Sequence, residues 1–302
     1  MEEVVIQIEK LNKFYGSKHV LKDIELTVKK GECFGIVGKN GAGKTTILEC
    51  IENIKAWESG TILINGIDAG KNVGRCKKIL GVQLQSSSLP ADIKVKEAMD
   101  LFAVEHGVTY SKEDYEKFGL QFFLKKKYKQ LSTGQKRRLH LFIAILHDPQ
   151  IVILDEPTAG LDIEGKEQLY AAIDELKAKG KTILITSHDM TEVEKLCDRV
   201  AFVIDGRIVR IDEISTQENE GKEFVICIKT QKGTGNYIGA VSSATYHGQT
   251  KEYDEYHCIS IASFLNEFVL LVLQNNDEIE DLFIKRNSIE KELADLIKGD
   301  QL

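Results

Sequence analysis

Short, mostly apolar runs alternate along the chain with stretches in which apolar residues recur every three to four positions. Residues 4–8, 33–37, 61–64, 79–84, 151–154, 182–186 and 199–204 are compact and rich in β-branched side chains, which predicts strands. Several are apolar at nearly every position, the mark of strands covered on both faces. Residues 45–53, 94–106, 134–146, 165–179 and 191–197 carry helical spacing. Strand and helix in turn predict an α/β fold, a mostly parallel sheet with helices packed against it, joined to early antiparallel strands. The interval 86–148 is poor in strand pattern and reads as a helical insertion.

Beyond Asp212 the texture changes. Residues 214–222 are mostly polar, as in a linker, and strands are expected near 223–230, 257–262 and 268–273. A closing helix is expected from the spacing of Ile279, Leu282, Phe283, Ile289, Leu293 and Leu296. The pattern divides the chain into a core over 1–212 and a small α+β unit over 213–302.

Composition narrows the class of protein. The chain has 302 residues, 42% hydrophobic and 29% charged, so it should hold about two globular domains. Its longest apolar stretches, such as 268–273, fall far short of the roughly 20 residues that span a bilayer, and Met1-Glu2-Glu3 is acidic where a secretion signal is basic. Neither a spanning segment nor secretion is expected. Six cysteines lie far apart without a Cys-x-x-Cys pair, which points to a reducing cytoplasm rather than to zinc or a disulfide framework. The net charge of −7 is concentrated late: from Ile211 onward there are 8 basic and 17 acidic residues, which leaves 1–210 at +2. An acidic appendage opposes binding to nucleic-acid phosphates, so DNA and RNA are not the expected partners.

Gly38-Lys39-Asn40-Gly41-Ala42-Gly43-Lys44-Thr45 follows the apolar strand 33–37 and opens a helix. In the pattern G-x-x-x-x-G-K-[ST] the glycines let the backbone curl so that N–H groups and a helix N-terminus face phosphate oxygens. Lys44 then reaches the β- and γ-phosphates, and the Thr45 hydroxyl is a magnesium ligand. Four apolar residues, 151–154, carry Asp155 to a strand end beside that loop as a second magnesium group, and Glu156 follows as base or water-positioner. His188, after strand 182–186, is placed to contact the γ-phosphate and the attacking water, and Gln85 ends another strand where it could sense metal and water. Leu131-Ser132-Thr133-Gly134-Gln135 opens a second amphipathic helix and has the makings of a second anion site.

In that order, over residues 4–212, these motifs resemble the ATP-binding cassette (ABC) ATPases. The resemblance implies the phosphate-loop NTPase fold with a helical subdomain at about 86–148. It makes residues 38–46 the Walker A loop, with Gly38, Asn40, Gly41, Ala42, Gly43, Lys44, Thr45 and Thr46 on the nucleotide, and Tyr15 the aromatic stacked on adenine. Gln85 becomes the Q-loop residue, Asp155 the metal acid, Glu156 the catalytic glutamate and His188 the switch histidine. Magnesium would rest on Thr45, Gln85 and Asp155. Residues 131–135 become the signature sequence, with Ser132, Gly134 and Gln135 on the partner's nucleotide, and Ala159-Gly160-Leu161-Asp162 the D-loop at the dimer seam. Thr133 stands where the family usually has glycine, which bears on the geometry of that turn because a β-branched residue does not take positive φ cheaply.

The function implied is the cytosolic ATPase subunit of a transporter. Two copies, most simply a homodimer, would close on Mg-ATP and drive a separate integral membrane permease, which would hold the chain at the inner face of the membrane. Residues 139–149, the 198–211 hairpin and 279–283 look like the branch that exports drugs, antibiotics or lipids. The alternatives are an importer ATPase, a soluble non-transport ABC ATPase and a regulatory subunit without turnover. Only 87 residues separate Lys44 from Ser132, without sustained heptads, which disfavours the chromosome-type ATPases; Glu156 and His188 disfavour loss of turnover. The run Lys125-Lys126-Lys127-Tyr128-Lys129 reads as a solvated face, and Trp57 as core or edge packing.

Overall fold

The computed structural model describes residues 3–83, 88–214, 224–250 and 252–285. Its contacts divide the chain into two compact units, Met1–Ser215 and Thr216–Leu302.

The first unit opens with the long hairpin β1 (Val4–Tyr15) and β2 (Lys18–Lys29), followed by β3 (Cys33–Val37), α1 (Lys44–Ile51), β4 (Ser59–Ile64), β5 (Ile67–Asp68), α2 (Val73–Lys77) and β6 (Leu80–Gln83). Three helices come next, α3 (Val95–His106), α4 (Lys112–Glu116) and α5 (Thr133–Ile145). The unit ends with β7 (Ile151–Asp155), α6 (Ile163–Ala178), β8 (Thr182–Ser187), α7 (Met190–Leu196), β9 (Arg199–Ile204) and β10 (Arg207–Glu213). One sheet is antiparallel, in the order β2-β1-β4-β5, and the other runs β10-β9-β3-β8-β7-β6. In the second sheet β9, β3, β8, β7 and β6 are parallel, and β10 is antiparallel to β9.

The parallel strands are apolar throughout because both of their faces are covered. Ile36, Ile151, Ile153 and Leu184 share one hydrophobic cluster with α1 residues Ile47, Leu48 and Ile51 and with Ile6, Ile8 and Leu26 of the antiparallel sheet. Each such side chain contributes about 1.5–3 kcal/mol on burial. The α1 helix is therefore wedged in the core, and the loop that opens it has little freedom to shift. On the sheet's other face β3 meets α7: a Cβ on Gly35 would stand 2.8 Å from Val193 Cγ1. All six cysteines are buried free thiols.

The second unit is an antiparallel sheet in the order β12-β13-β11-β14, built from β11 (Phe224–Thr230), β12 (Ala244–Gln249), β13 (Asp254–Cys258) and β14 (Ile279–Lys285), with α8 (Ile261–Gln274) between the last two strands. Here the structure corrects the reading of the sequence. The expected strand 268–273 lies inside α8, because a six-residue apolar run fits a buried strand or a buried helix equally well. Ser260 decides for the helix: its hydroxyl accepts the N–H of Ser263 at 3.3 Å, and Phe264, Phe268 and Val272 then fall on one buried face. The expected closing helix is a strand over 279–285, with Ile284 opposite Ile226 and Leu282 opposite Ile228. Ile289, Leu293 and Leu296 lie outside the described residues.

Among the described residues no helix is long and apolar enough to cross a membrane. Trp57 packs against the first unit's core, its indole N–H donating to Gly60 O at 3.1 Å.

Candidate active site

The phosphate loop is shaped by contacts that only glycine permits at two positions. A Cβ on Gly38 would lie 2.3 Å from Val203 O, and Gly43, at φ +112°, would bring one within 2.8 Å of Leu21 Cδ2. Gly43 caps α1, so the chain turns from β3 into the helix with Lys44 and Thr45 in the first turn. The Lys44 ammonium is folded back over the loop, donating to Gly38 O at 2.8 Å and Lys39 O at 3.3 Å.

Strand β7 brings its two acids to this loop. Thr45 Oγ1 donates to Asp155 Oδ1 at 3.3 Å, and Glu156 Oε1 lies 3.4 Å from Lys44 Nζ. The other oxygen of Glu156 is 3.4 Å from His188 Nδ1, so Lys44, Glu156 and His188 form one line of charge and imidazole across the ends of β3, β7 and β8. Glu156 adopts φ +43°, an uncommon conformation for a non-glycine residue and more so before a proline. It is held there by two hydrogen bonds from its N–H, to Thr186 O at 3.2 Å and Thr186 Oγ1 at 3.0 Å. Such strain persists only where the surroundings enforce it, and here it points the carboxylate at the ammonium.

Thr186 is a residue that the sequence did not single out. Its hydroxyl also bonds Asp155 Oδ1, so one side chain fixes both acids. The parallel register that sets Asp155 beside Thr186 is the cause, and nothing local marks it. Glu192 is a second such residue: it is buried, accepts from Ser187 Oγ at 2.6 Å and hydrogen-bonds the Thr158 side chain, which ties the segment before His188 to the one after Glu156. Its carboxyl sits above the usual range, chiefly because burial disfavours the charge.

Tyr15 ends β1 with 43% of its surface exposed, so it is not packed into its own sheet. Its hydroxyl is 3.4 Å from Glu49 Oε2 on α1, and the ammonium groups of Lys13 and Lys55 lie 5.3 and 6.0 Å from the ring centre. The ring thus stands beside the helix that the phosphate loop opens. Gln85 lies outside the described residues.

Residues 131–135, read as the signature sequence, lie apart from the phosphate loop. Ser132 caps α5, its hydroxyl accepting the Gln135 N–H at 3.2 Å while the Gln135 side chain accepts the Ser132 N–H at 3.2 Å. A cavity of about 340 Å³ beside them is lined by Ser132, Thr133, Gly134, Gly160, Leu161 and Asp162 among others, with no residue of the phosphate loop. Thr133 does not take positive φ; it is the first helical residue of α5, so a β-branched side chain fits without strain. Tyr128, inside the basic run, is buried and bonds His140 Nε2 at 2.9 Å. Burial, then Arg137 and Lys136, push that imidazole down to about 4, which keeps it neutral. Lys127 and Lys129 both reach Asp92, at 3.0 and 2.8 Å.

A parallel sheet with a glycine loop leading into a buried helix, and a strand-end acid pair on the loop's lysine and threonine, defines a phosphate-loop nucleoside triphosphatase. Residues 21–159 match the ABC transporter family model. The chain is 34% identical over 213 residues to the linearmycin resistance ATP-binding protein LnrL of Bacillus subtilis, covering 68% of each. It is 36% identical over 213 residues to the Nod factor export ATP-binding protein I of Paraburkholderia xenovorans, covering 68% of this chain and 70% of that one. Among solved structures, an ATP-binding subunit of an ABC transporter superposes with a TM-score of 0.63 at 27% identity, covering 70% of this chain and 90% of that one. The chain belongs to the family of ABC transporter ATP-binding proteins. Proteins of this family bind and hydrolyse ATP, pair with one another and work with membrane permease subunits.

Proposed function

We propose that this chain is the magnesium-dependent ATPase subunit of an exporter, acting as a homodimer at the inner face of the membrane through its permease. The observation that carries the catalytic part is the line Lys44–Glu156–His188, with 3.4 Å on each side of Glu156. Lys44 and the loop N–H groups hold the β- and γ-phosphates, and Tyr15 holds the base. Glu156 is placed to orient the attacking water and accept its proton, and His188 to steady that carboxylate and meet the γ-phosphate.

Magnesium fits the residues present. Asp155 Oδ2 is buried and, among the described residues, has no hydrogen-bond partner, and the Thr45 hydroxyl is 3.3 Å from the other oxygen of the same carboxylate. Two hard oxygen donors of this kind suit magnesium, with Gln85 as a third. The ion would offset charge on the phosphate oxygens; the protein's part is to hold it beside Lys44.

Closure places Ser132, Gly134 and Gln135 of one subunit on the nucleotide held by its partner's Lys44. The separation of the signature cavity from the phosphate loop within one chain supports this reading. Export is supported by the names of the relatives, one a resistance protein and the other an export protein. We assign ATP handling to residues 1–212 and an accessory role to 213–302. The test is pairing: Glu156→Gln keeps the carboxylate's size but cannot take the proton, so with Mg-ATP it runs as a dimer in light scattering while the wild type returns to monomer. A Glu156→Gln variant that stays monomeric at saturating ATP removes the homodimer from the proposal.

A further inference from the structure

Thr186 is fully buried at the carboxyl end of β8, in register between Ile36 of β3 and Asp155 of β7. Ile36 and Leu184, the latter two positions earlier on β8, belong to the hydrophobic cluster that holds α1, so an apolar side chain would suit the place. A buried hydroxyl costs free energy unless it is hydrogen-bonded, and this one serves both neighbouring acids. It bonds Asp155 Oδ1 and meets the Glu156 N–H at 3.0 Å. The direction of both bonds follows from their chemistry. A backbone N–H can only donate, so Thr186 Oγ1 accepts from Glu156 and has its single proton left for Asp155. Asp155 Oδ1 thus receives two hydroxyl donors, Thr186 and, at 3.3 Å, Thr45. Oδ2 of the same carboxylate receives none among the described residues.

Glu156 depends on the same atom. At φ +43° its N–H meets Thr186 O and Thr186 Oγ1 together, and of these two acceptors only Oγ1 can be removed by substitution. We propose that Thr186 is a positioning residue for the magnesium centre: its hydroxyl occupies Asp155 Oδ1, which leaves Oδ2 as the oxygen offered to the metal, and ties that carboxylate to the backbone of Glu156. This rests on the ATPase reading above. Thr186 acts through the two acids rather than on the nucleotide, and one hydroxyl sets the metal's acid and the base in a common frame.

The experiment uses the full chain and three variants: Thr186→Val keeps the shape and loses the hydroxyl, Thr186→Ser keeps the hydroxyl, and Thr186→Ala loses it at nearly the size of serine. Affinity for a non-hydrolysable ATP analogue is measured by titration calorimetry in magnesium and in EDTA, and the ratio of the two is the gain that the metal brings. Thr186→Val is expected to lower that gain about ten-fold, the usual effect of one hydrogen bond to a charged group, and Thr186→Ser to keep it. General damage to the fold weakens both affinities and leaves the ratio alone. Should the Val variant not fold, Ser against Ala makes the same comparison without added bulk. A Val or Ala variant with the wild-type gain, or a Ser variant that loses it, overturns the role of Thr186 and leaves the ATPase reading standing. A wild type whose affinity magnesium does not raise overturns the proposal, and one that binds no nucleotide overturns the ATPase reading as well.

Discussion

Lys44 Nζ and Glu156 Oε1 lie 3.4 Å apart, with only 4% and 10% of their side-chain surfaces exposed. At that depth the interaction between the two charges is stronger than at a surface, because the surrounding medium screens less. Phosphate oxygens and the Glu156 carboxylate compete for the same ammonium. On the proposed reading, a γ-phosphate that draws Lys44 to itself would release Glu156 toward the attacking water, and the lysine would couple nucleotide arrival to the readiness of the base.

Lys44→Ala removes both halves of that coupling. The γ-phosphate loses its compensating charge, and Glu156 loses the ammonium that stands 3.4 Å from it. We expect a loss of about 10²-fold or more in kcat/KM, the usual cost of a preorganised electrostatic contact, read as phosphate release under saturating magnesium. Wild-type turnover in this variant would remove the assignment of the phosphate loop.

Tyr15 tests the other end of the nucleotide. Tyr15 is 43% exposed beside α1, and one stacked base contributes about 1–3 kcal/mol. Tyr15→Ala should weaken ATP binding by roughly ten-fold with a smaller change in kcat, whereas Tyr15→Phe keeps the ring and the affinity. Titration calorimetry separates the two. Equal affinity of the Ala variant and the wild type would make Tyr15 a surface residue of the β1–β2 hairpin.

The motifs were legible because each is a short spacing closed by local geometry: Gly38 to Thr45 must turn, and Asp155 must end a strand. What escaped is long-range. Thr186 acts on Asp155 and Glu156 only because β7 and β8 lie in parallel register, and Glu192 acts on Ser187 and Thr158 only after α7 folds back onto β8. In the second unit Phe268–Leu273 is apolar at every position and so carries no period that separates a strand from a helix. Thr133 is helical, so the cost of positive φ for a β-branched residue does not arise there.

The same register argument moves the division of the chain. The β10 strand runs to Glu213, and the Ile214 N–H donates to Asp198 O at 2.7 Å, so a cut at Asp212 removes residues that hold the edge of the six-stranded sheet. A chain ended at Ser215 is expected to fold and bind ATP with the affinity of the full chain, and one ended at Asp212 to melt at a lower temperature. A Ser215-terminated protein that is folded by circular dichroism yet binds no ATP would assign part of nucleotide binding to the second unit.

Glu52 makes stability depend on pH in a direction opposite to ordinary acid unfolding. It follows α1 in the core, 4% exposed, and among the described residues neither carboxylate oxygen has a hydrogen-bond partner. Burial, then the charges of Asp155 and Glu49, push its carboxyl from 4.5 up to about 8. The folded chain therefore holds a proton between those values that the unfolded chain has released. Stability from this group is full below about pH 4.5 and is lost as the pH rises toward 8. Glu52→Gln is neutral at every pH, so its stability relative to wild type should rise by about 2–3 kcal/mol between pH 6 and pH 8. Urea midpoints of both proteins at the two pH values measure it; a constant difference between them would mean that Glu52 is ionised in the fold and that its charge is compensated.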